Sequence, residues 1–272
     1  MNVLNNRFLL YCIDRVSGVT RLLDVVYVVG LESSTILRYR ATTYERLTDI
    51  DVKSLTDPTD IAACEQTSQL YVADSMEYVW RISSDGADIK RWLPMLPSDT
   101  FTPWSLSVTS TRLLVTSDWT NELRQFDAVG DEVSRLCLPY YMVPGHAMES
   151  PTGTFVVSHH NTRLKQWQVS EVNTEGQVLR HFSGTRPVLD RLGKTPPPHI
   201  AVDSQGNIFV VSYDSRRILQ LDHLLAICCI IIDEHELKSG QPRRLCYVEQ
   251  SGQLLVGMGY SVAVFDVLRR YR

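Results

Sequence analysis

The chain repeats itself. A proline followed by a short apolar run recurs as "DPTDIAAC" at Pro58, "TPWSLSV" at Pro103, "VPGHAMES" at Pro144, "PPHIAVD" at Pro198 and "QPRRLCYV" at Pro242, at intervals of 41 to 54 residues. The longest interval holds the insert "TRPVLDRLGKTPPP". A period of roughly 45 residues implies a supersecondary unit that can bury its apolar surface only against copies of itself.

Each copy carries a second apolar stretch, "LYVAD", "LLVTS", "FVVSH", "IFVVS" and "LLVGM" in turn. These runs are short, β-branched and almost continuously apolar, as strands covered on both faces are. A third stretch follows, "YVWRIS", "ELRQFD", "RLKQWQV", "RILQLD" and "VAVFDV", in which apolar and polar residues alternate, as expected farther from the centre. In "SSDGADIKRW", "FDAVGDEVSRL" and "VNTEGQVLRHF" a turn leads into a fourth strand, and Gly86, Gly130 and Gly176 suit the positive φ of tight hairpins. Upstream of Pro58, "VTRLLDVVYVVGLESSTILRYRATTYERLTDIDV" reads as a further copy without the proline, which makes six. Six units of four antiparallel strands predict an all-β chain, a single six-bladed β-propeller domain over residues 1–272. A β-sandwich would leave the common period unexplained. The last copy has no fourth strand of its own; the N-terminal segment "RFLLYCI", residues 7–13, is predicted to complete it, since an open ring leaves unpaired edges.

The copy "PPHIAVDSQGNIFVVSYDSRRILQLD" resembles the NHL repeat, with its P-x-G-I-A-V-D, G-N-I-Y-V-A-D and N-R-I-Q-x-F-D segments, and "PTDIAACEQTSQLYVADSMEYVWRISSDG" resembles it more loosely. The resemblance runs over about residues 7 to 270. It implies the six-bladed fold and no particular activity, because propellers host many unrelated functions. Family members in ubiquitin ligases join these repeats to RING, B-box or coiled-coil elements; none accompanies the repeats here, so ligase activity is not implied. The small residue before I-A-V-D is replaced by Asp60, Ser105, His146, His199 and Arg244 in successive copies. The aspartate closing the second strand persists as Asp74 but is Ser117, His159 and Ser212 elsewhere. Where present, it is expected to tie a loop to backbone amides.

A net charge of −4 offers nucleic acid and anionic lipid no global attraction. No signal peptide is read at the N-terminus, and the longest apolar run, "LLAICCIII", is about half the roughly 18 residues a spanning helix needs. The six cysteines show no metal or redox spacing and sit mostly in apolar runs, which suggests buried thiols in a soluble cytoplasmic protein without membrane contact.

Equivalent positions in successive copies lie at equivalent places around a ring. Asp60, Ser105, His146, His199 and Arg244 are therefore expected to form a polar circle at one mouth of the central channel. His146 and His199 belong to adjacent blades and could share a ligand, with Asp60 joining from farther round. The resemblance adds that six-bladed propellers include metal-dependent lactonases and an amidating lyase; two histidines and a distant aspartate fall short of the three converging ligands zinc requires, so no metal or other cofactor is assigned. His159 and His160 read as loop residues, and Asp233, Glu234, His235 and Glu236 as a solvated connection. No nucleophile elbow, phosphate loop or zinc-protease motif is present, which disfavours an enzyme without deciding the matter.

The turns between second and third strands offer Trp119, Tyr213, Arg216 and Arg217, residue types that anchor interfaces. The expectation is a non-catalytic module that binds a protein or peptide partner. Two alternatives are a metal-dependent hydrolase or lyase around His146 and His199, and single-stranded RNA binding through Arg163, Lys165, Arg216, Arg217, Arg243 and Arg244.

Overall fold

The computed structural model describes residues 8–12, 14–75, 78–94, 101–109, 112–117, 119–182, 198–237 and 240–267. They form six four-stranded antiparallel sheets. We number these blades I to VI and letter their strands a to d from the axis outward. Blade I comprises Val16–Leu22, Val25–Gly30, Thr35–Arg40 and Ile50–Asp51; blade II Pro58–Cys64, Gln69–Asp74, Tyr78–Ser83 and Ile89–Pro94; blade III Ser105–Val108, Leu113–Thr116, Glu122–Phe126 and Glu132–Cys137. Blade IV comprises Met142–Glu149, Phe155–Asn161, Gln166–Val172 and Val178–Phe182; blade V Ile200–Val202, Ile208–Ser212, Arg217–Leu221 and Ile227–Ile232. Blade VI takes Pro242–Val248, Gln253–Met258 and Ser261–Asp266 from the end of the chain and Phe8–Tyr11 from its beginning.

The N-terminal strand thus closes the ring as expected, with Phe8 opposite Val264 and Tyr11 opposite Ser261. Leu10 is buried in the seam between blades VI and I, and the Tyr39 hydroxyl donates to the Tyr11 carbonyl across it. The closure works because the last blade would otherwise expose the outer edge of a strand whose own residues, Val262 to Val264, are fully buried.

The described residues share no single central core. Apolar side chains collect in the seams between neighbouring blades, such as Tyr27, Val29, Ile61, Leu70 and Trp80 between I and II, or Leu114, Leu123, Phe155 and Val157 between III and IV. Each a and b strand is covered on both faces, which explains its nearly unbroken apolar sequence.

Gly86, Gly130 and Gly176 take φ of 79°, 112° and 80° in the c–d turns of blades II, III and IV, as expected. Blades I and V also have d strands, but their turns place Tyr44 at φ 59° and Leu225 at φ 62°. In blade V, Asp222 Oδ1 supports the turn by accepting from the amides of Leu224 and Ala226. The run "LLAICCIII" leads into that outer strand, where alternate residues face solvent; Cys228 is exposed, as is Cys137, and the other four cysteines are partly buried, so the expectation of buried thiols fails outright for two and holds only in part for the rest. An outermost strand has only one neighbouring strand and a single packed face, so every second residue can remain wet.

Asp233 to Leu237 form more than a solvated connection. Asp233 Oδ1 caps the amides of His235 and Glu236, Glu236 returns a bond to the Asp233 amide, and the one-turn helix Glu234–Leu237 drives Leu237 into the core between blades V and VI. Among the described residues, no helix is long and apolar enough to cross a membrane.

Candidate functional site

Four a strands begin with the same one-residue bulge, at Val16/Gly18, Pro58/Asp60, Pro144/His146 and Pro242/Arg244. The extra residue re-aims the following side chain toward the axis. Asp60, His146 and Arg244 come from these bulges, and Ser105 and His199 stand at the corresponding starts in blades III and V. Blade I contributes Gly18, a sixth position absent from the sequence-derived set. Its signal becomes visible once Val16 in "RVSGV" is aligned with the prolines of the other copies. A Cβ at Gly18 would lie 2.7 Å from the Ile61 backbone nitrogen, so only glycine fits.

The gap at Gly18 lets Arg244 cross an entire blade. Its guanidinium donates to the Ser17 carbonyl in blade I and, at 2.9 Å, to the Thr59 carbonyl in blade II, and its Nε lies 3.9 Å from Asp60 Oδ1. Asp60 also accepts from the Ser105 hydroxyl, from the Leu106 amide at 3.0 Å and from the Ile61 amide at 2.9 Å. His199 Nε2 stands 3.6 Å from Asp60 Oδ2, and the His146 and His199 rings stack with centroids 3.8 Å apart. All five side chains are buried, Arg244 being the most accessible at 8%. Burial pushes the Asp60 carboxyl up, but its partners, chiefly His199 and Arg244, outweigh this and hold it well below the usual range. Burial pushes both imidazoles down, so they are neutral at pH 7, and Arg244 is the cation that compensates Asp60.

Asp60, His146 and His199 place potential ligand atoms within 4.8 Å of one another. Their hydrogen bonds do not suit a metal. The Ile200 amide donates to His146 Nδ1 at 3.4 Å and the Leu245 amide donates to His199 Nδ1 at 3.3 Å. Each Nδ1 is therefore an acceptor, and the proton sits on Nε2. A metal-bound imidazole needs the reverse, one nitrogen free for the ion and the other N–H donating to an acceptor. The arrangement is a plug that closes the channel at this end.

Above the plug the channel is a blind cup of about 270 Å³, floored by His146 and His199 and walled by Thr20, Ala62, Ser107 and Ala201. It opens at the opposite face, among Arg21, Glu65 and Tyr247.

Because strand a starts at the plugged end and its neighbours alternate in direction, the b–c turns lie on the plugged face. Trp119 and Tyr260 are exposed there in such turns, beside Tyr140 on the approach to blade IV and Tyr11 at the end of the closing strand. Every largely exposed tyrosine or tryptophan among the described residues is on this face; the turns of the other face expose Leu23, Val129 and Leu224. Of the remaining candidates, Tyr213 is half-buried, with its hydroxyl bound to Gln241 and Arg243 and the Arg243 guanidinium 5.0 Å over its ring. Arg216 is exposed, and Arg217 pairs with Glu234 at 2.9 Å. Of the six basic residues considered for RNA, Arg244 is thus buried and Arg217 and Arg243 already have partners.

Asp74 performs the expected tie, accepting from the Thr56 and Asp57 amides and from Trp80 Nε1. Its counterpart His159 is no loop residue: it lies in strand b of blade IV, 1% exposed, with Nε2 2.8 Å from Ser170 Oγ. His160, on the opposite side of that strand, packs its ring 5.4 Å from Trp167. Around His159 a cavity of about 290 Å³ opens on the side of blade IV that faces blade III. Asn161 and Gln168 also line it; polar residues within an apolar strand carry no sequence signal that would have singled them out.

No family model matches the sequence, and no curated protein is significantly similar to it. Solved structures do share its fold. A catalytically inactive variant of virginiamycin B lyase from Staphylococcus aureus, crystallised with quinupristin, superposes with a TM-score of 0.64 at 15% identity, over 92% of this chain and 80% of that one. A chain of the nidogen/laminin complex superposes with a TM-score of 0.61 at 13% identity, over 81% of each chain. At such identities the likeness establishes the six-bladed propeller and leaves the activity open.

Proposed function

We propose that the protein is a non-catalytic binding platform, an NHL-type propeller that takes a protein or peptide partner on its plugged face. One observation carries this reading: Tyr11, Trp119, Tyr140 and Tyr260, the largely exposed aromatic side chains among the described residues, all lie on that face. Aromatic anchors of this kind supply most of the binding energy in protein interfaces. The polar ring beneath them makes hydrogen bonds within the fold at every member, with His199 Nε2 left over, which supports a structural role for Asp60, Ser105, His146, His199 and Arg244.

The test compares capture of cellular proteins by the wild-type chain and by a Trp119→Ala/Tyr260→Ala variant with an unchanged melting temperature. Specific partners retained by the first and lost by the second are expected. Equal capture by both would overturn the assignment of this face.

The second reading, a metal-dependent hydrolase or lyase, draws on the proximity of Asp60, His146 and His199. Metal analysis of the purified protein decides it: a stoichiometric ion that is lost in a His146→Ala/His199→Ala variant would displace the binding-platform reading.

A further inference from the structure

The cavity on the side of blade IV that faces blade III brings unused hydrogen-bonding capacity together with a cation. His159 Nδ1 is buried without a hydrogen-bond partner. Leaving such an atom unsatisfied costs about 1–3 kcal/mol, which a ligand can recover. Asn161 Nδ2 donates to Gln168 Oε1 at 2.8 Å, fixing the Gln168 amide, while Gln168 Nε2 has no protein acceptor among the described residues. At the rim, the Arg163 guanidinium lies 4.7 Å over the Tyr140 ring and 5.0 Å over the Tyr141 ring, with no carboxylate partner among the described residues.

The turn that carries this cation is ordered before any ligand arrives. Asn161 Oδ1 accepts from the Arg163 amide at 3.1 Å and from the Leu164 amide at 3.0 Å, and Lys165 completes the turn at φ 53°. Pre-ordering of this kind lowers the entropic cost of binding. The walls are apolar, formed by Tyr141, Met142, Leu164 and Val178. No aspartate or glutamate lines the cavity, although the chain has 31 acidic residues against 27 basic ones.

From this arrangement we infer that the cavity binds a carboxylate carried on a short apolar body, as at the C-terminus of a peptide. Arg163 supplies the charge, and Gln168 Nε2 and His159 Nδ1 supply directional contacts. The apolar walls take the body. A single unpaired guanidinium among neutral donors matches a monoanion, whereas a phosphate dianion would call for more cations. The inference rests on the binding-platform reading only in that the cavity opens on the same face; a carboxylate site can exist whether or not Trp119 and Tyr260 contact a protein.

The probes are a short peptide ending in phenylalanine, its C-terminally amidated form, free 3-phenylpropionate and 3-phenylpropionamide. Each is titrated into the full chain while the side-chain NMR signals of His159 and Gln168 are followed. The free-carboxylate peptide is expected to shift both signals and to bind at least about tenfold more tightly than the amide, and Arg163→Gln is expected to abolish that preference without changing the melting temperature. If 3-phenylpropionate binds and the peptide does not, the carboxylate site stands with a small free acid as its ligand. Equal binding of acids and amides, no shift with any probe up to about 10 mM, or an undiminished preference in Arg163→Gln would overturn the inference. Repeating partner capture with Arg163→Gln separates the two readings, since failure of carboxylate binding with capture intact refutes this site alone.

Discussion

The axis and blade IV both bury histidines among polar groups, and each leaves one ring nitrogen without a hydrogen bond, His199 Nε2 at the axis and His159 Nδ1 in blade IV; they differ in what surrounds it. At the axis, backbone amides of neighbouring blades donate to both imidazoles, Asp60 accepts from Ser105, Leu106 and Ile61, and Arg244 spans blade I to reach blade II. In blade IV, His159 has one partner, Ser170, and one bare nitrogen, beside Gln168 Nε2, which has no protein acceptor among the described residues, and the Arg163 guanidinium, which rests on Tyr140 and Tyr141 with no carboxylate among the described residues. Buried polar groups matched within the fold act as fasteners, and those left unmatched await something from outside. Residue type alone would have suggested the reverse ranking, because the axis has the more catalytic-looking set.

The sharpest way to break this contrast is at Asp60. Asp60→Ala leaves Arg244 buried without its carboxylate and is expected to cost about 3–5 kcal/mol in chemical denaturation, while the double variant Asp60→Ser/Arg244→Met recovers about half of that. A cost near zero for Asp60→Ala would show that the plug is not a fastener. Deleting residues 1–13 supplies an apolar reference, since it opens the seam between blades VI and I; a loss of at least about 3 kcal/mol is expected, and an unchanged melting temperature would contradict the closure. Gly18→Ala forces a methyl group onto the Ile61 backbone and is expected to cost about 1–3 kcal/mol in the same assay.

A last effect, read per unit of pH, concerns the buried histidines. Burial lowers the folded-state pKa of His146, His199 and His159, the last to about 4, so the unfolded chain takes up protons first. Their contribution is fully present above about pH 6.5 and is lost as pH falls below it, at about 1.4 kcal/mol per pH unit for each histidine. The Asp60 carboxyl, also lowered, adds a further loss only below about pH 4. His159→Gln should therefore reduce the slope of stability between pH 6.5 and 4.5 by about 1.4 kcal/mol per unit. An identical slope in wild type and variant would mean that His159 is not buried neutral.

The repeat was readable because each blade solves the same burial problem with the same pattern, and glycines at 86, 130 and 176 announce three of the c–d turns. The d strands of blades I and V were harder to see, since Tyr44 and Leu225 adopt positive φ without the usual residue. His159 reads in the sequence as a loop residue, whereas strand b in blade IV runs on to Asn161, past the point where the other copies turn. Trp119 was identifiable from its turn, whereas Tyr11 and Tyr140 join it on one face only because the ring closes and the blades align.

Period, strand order and closure by the N-terminus are written in the amino-acid sequence, since alternating and continuous apolar runs report which faces of a strand meet neighbours. The fate of the polar residues is not. Whether Asp60, His146 and His199 bind a metal or bind each other depends on which backbone amides the next blade brings within 3.0 to 3.4 Å of them. Those amides lie 46 to 54 residues away in the chain, and only the packing of one blade against the next brings them into place.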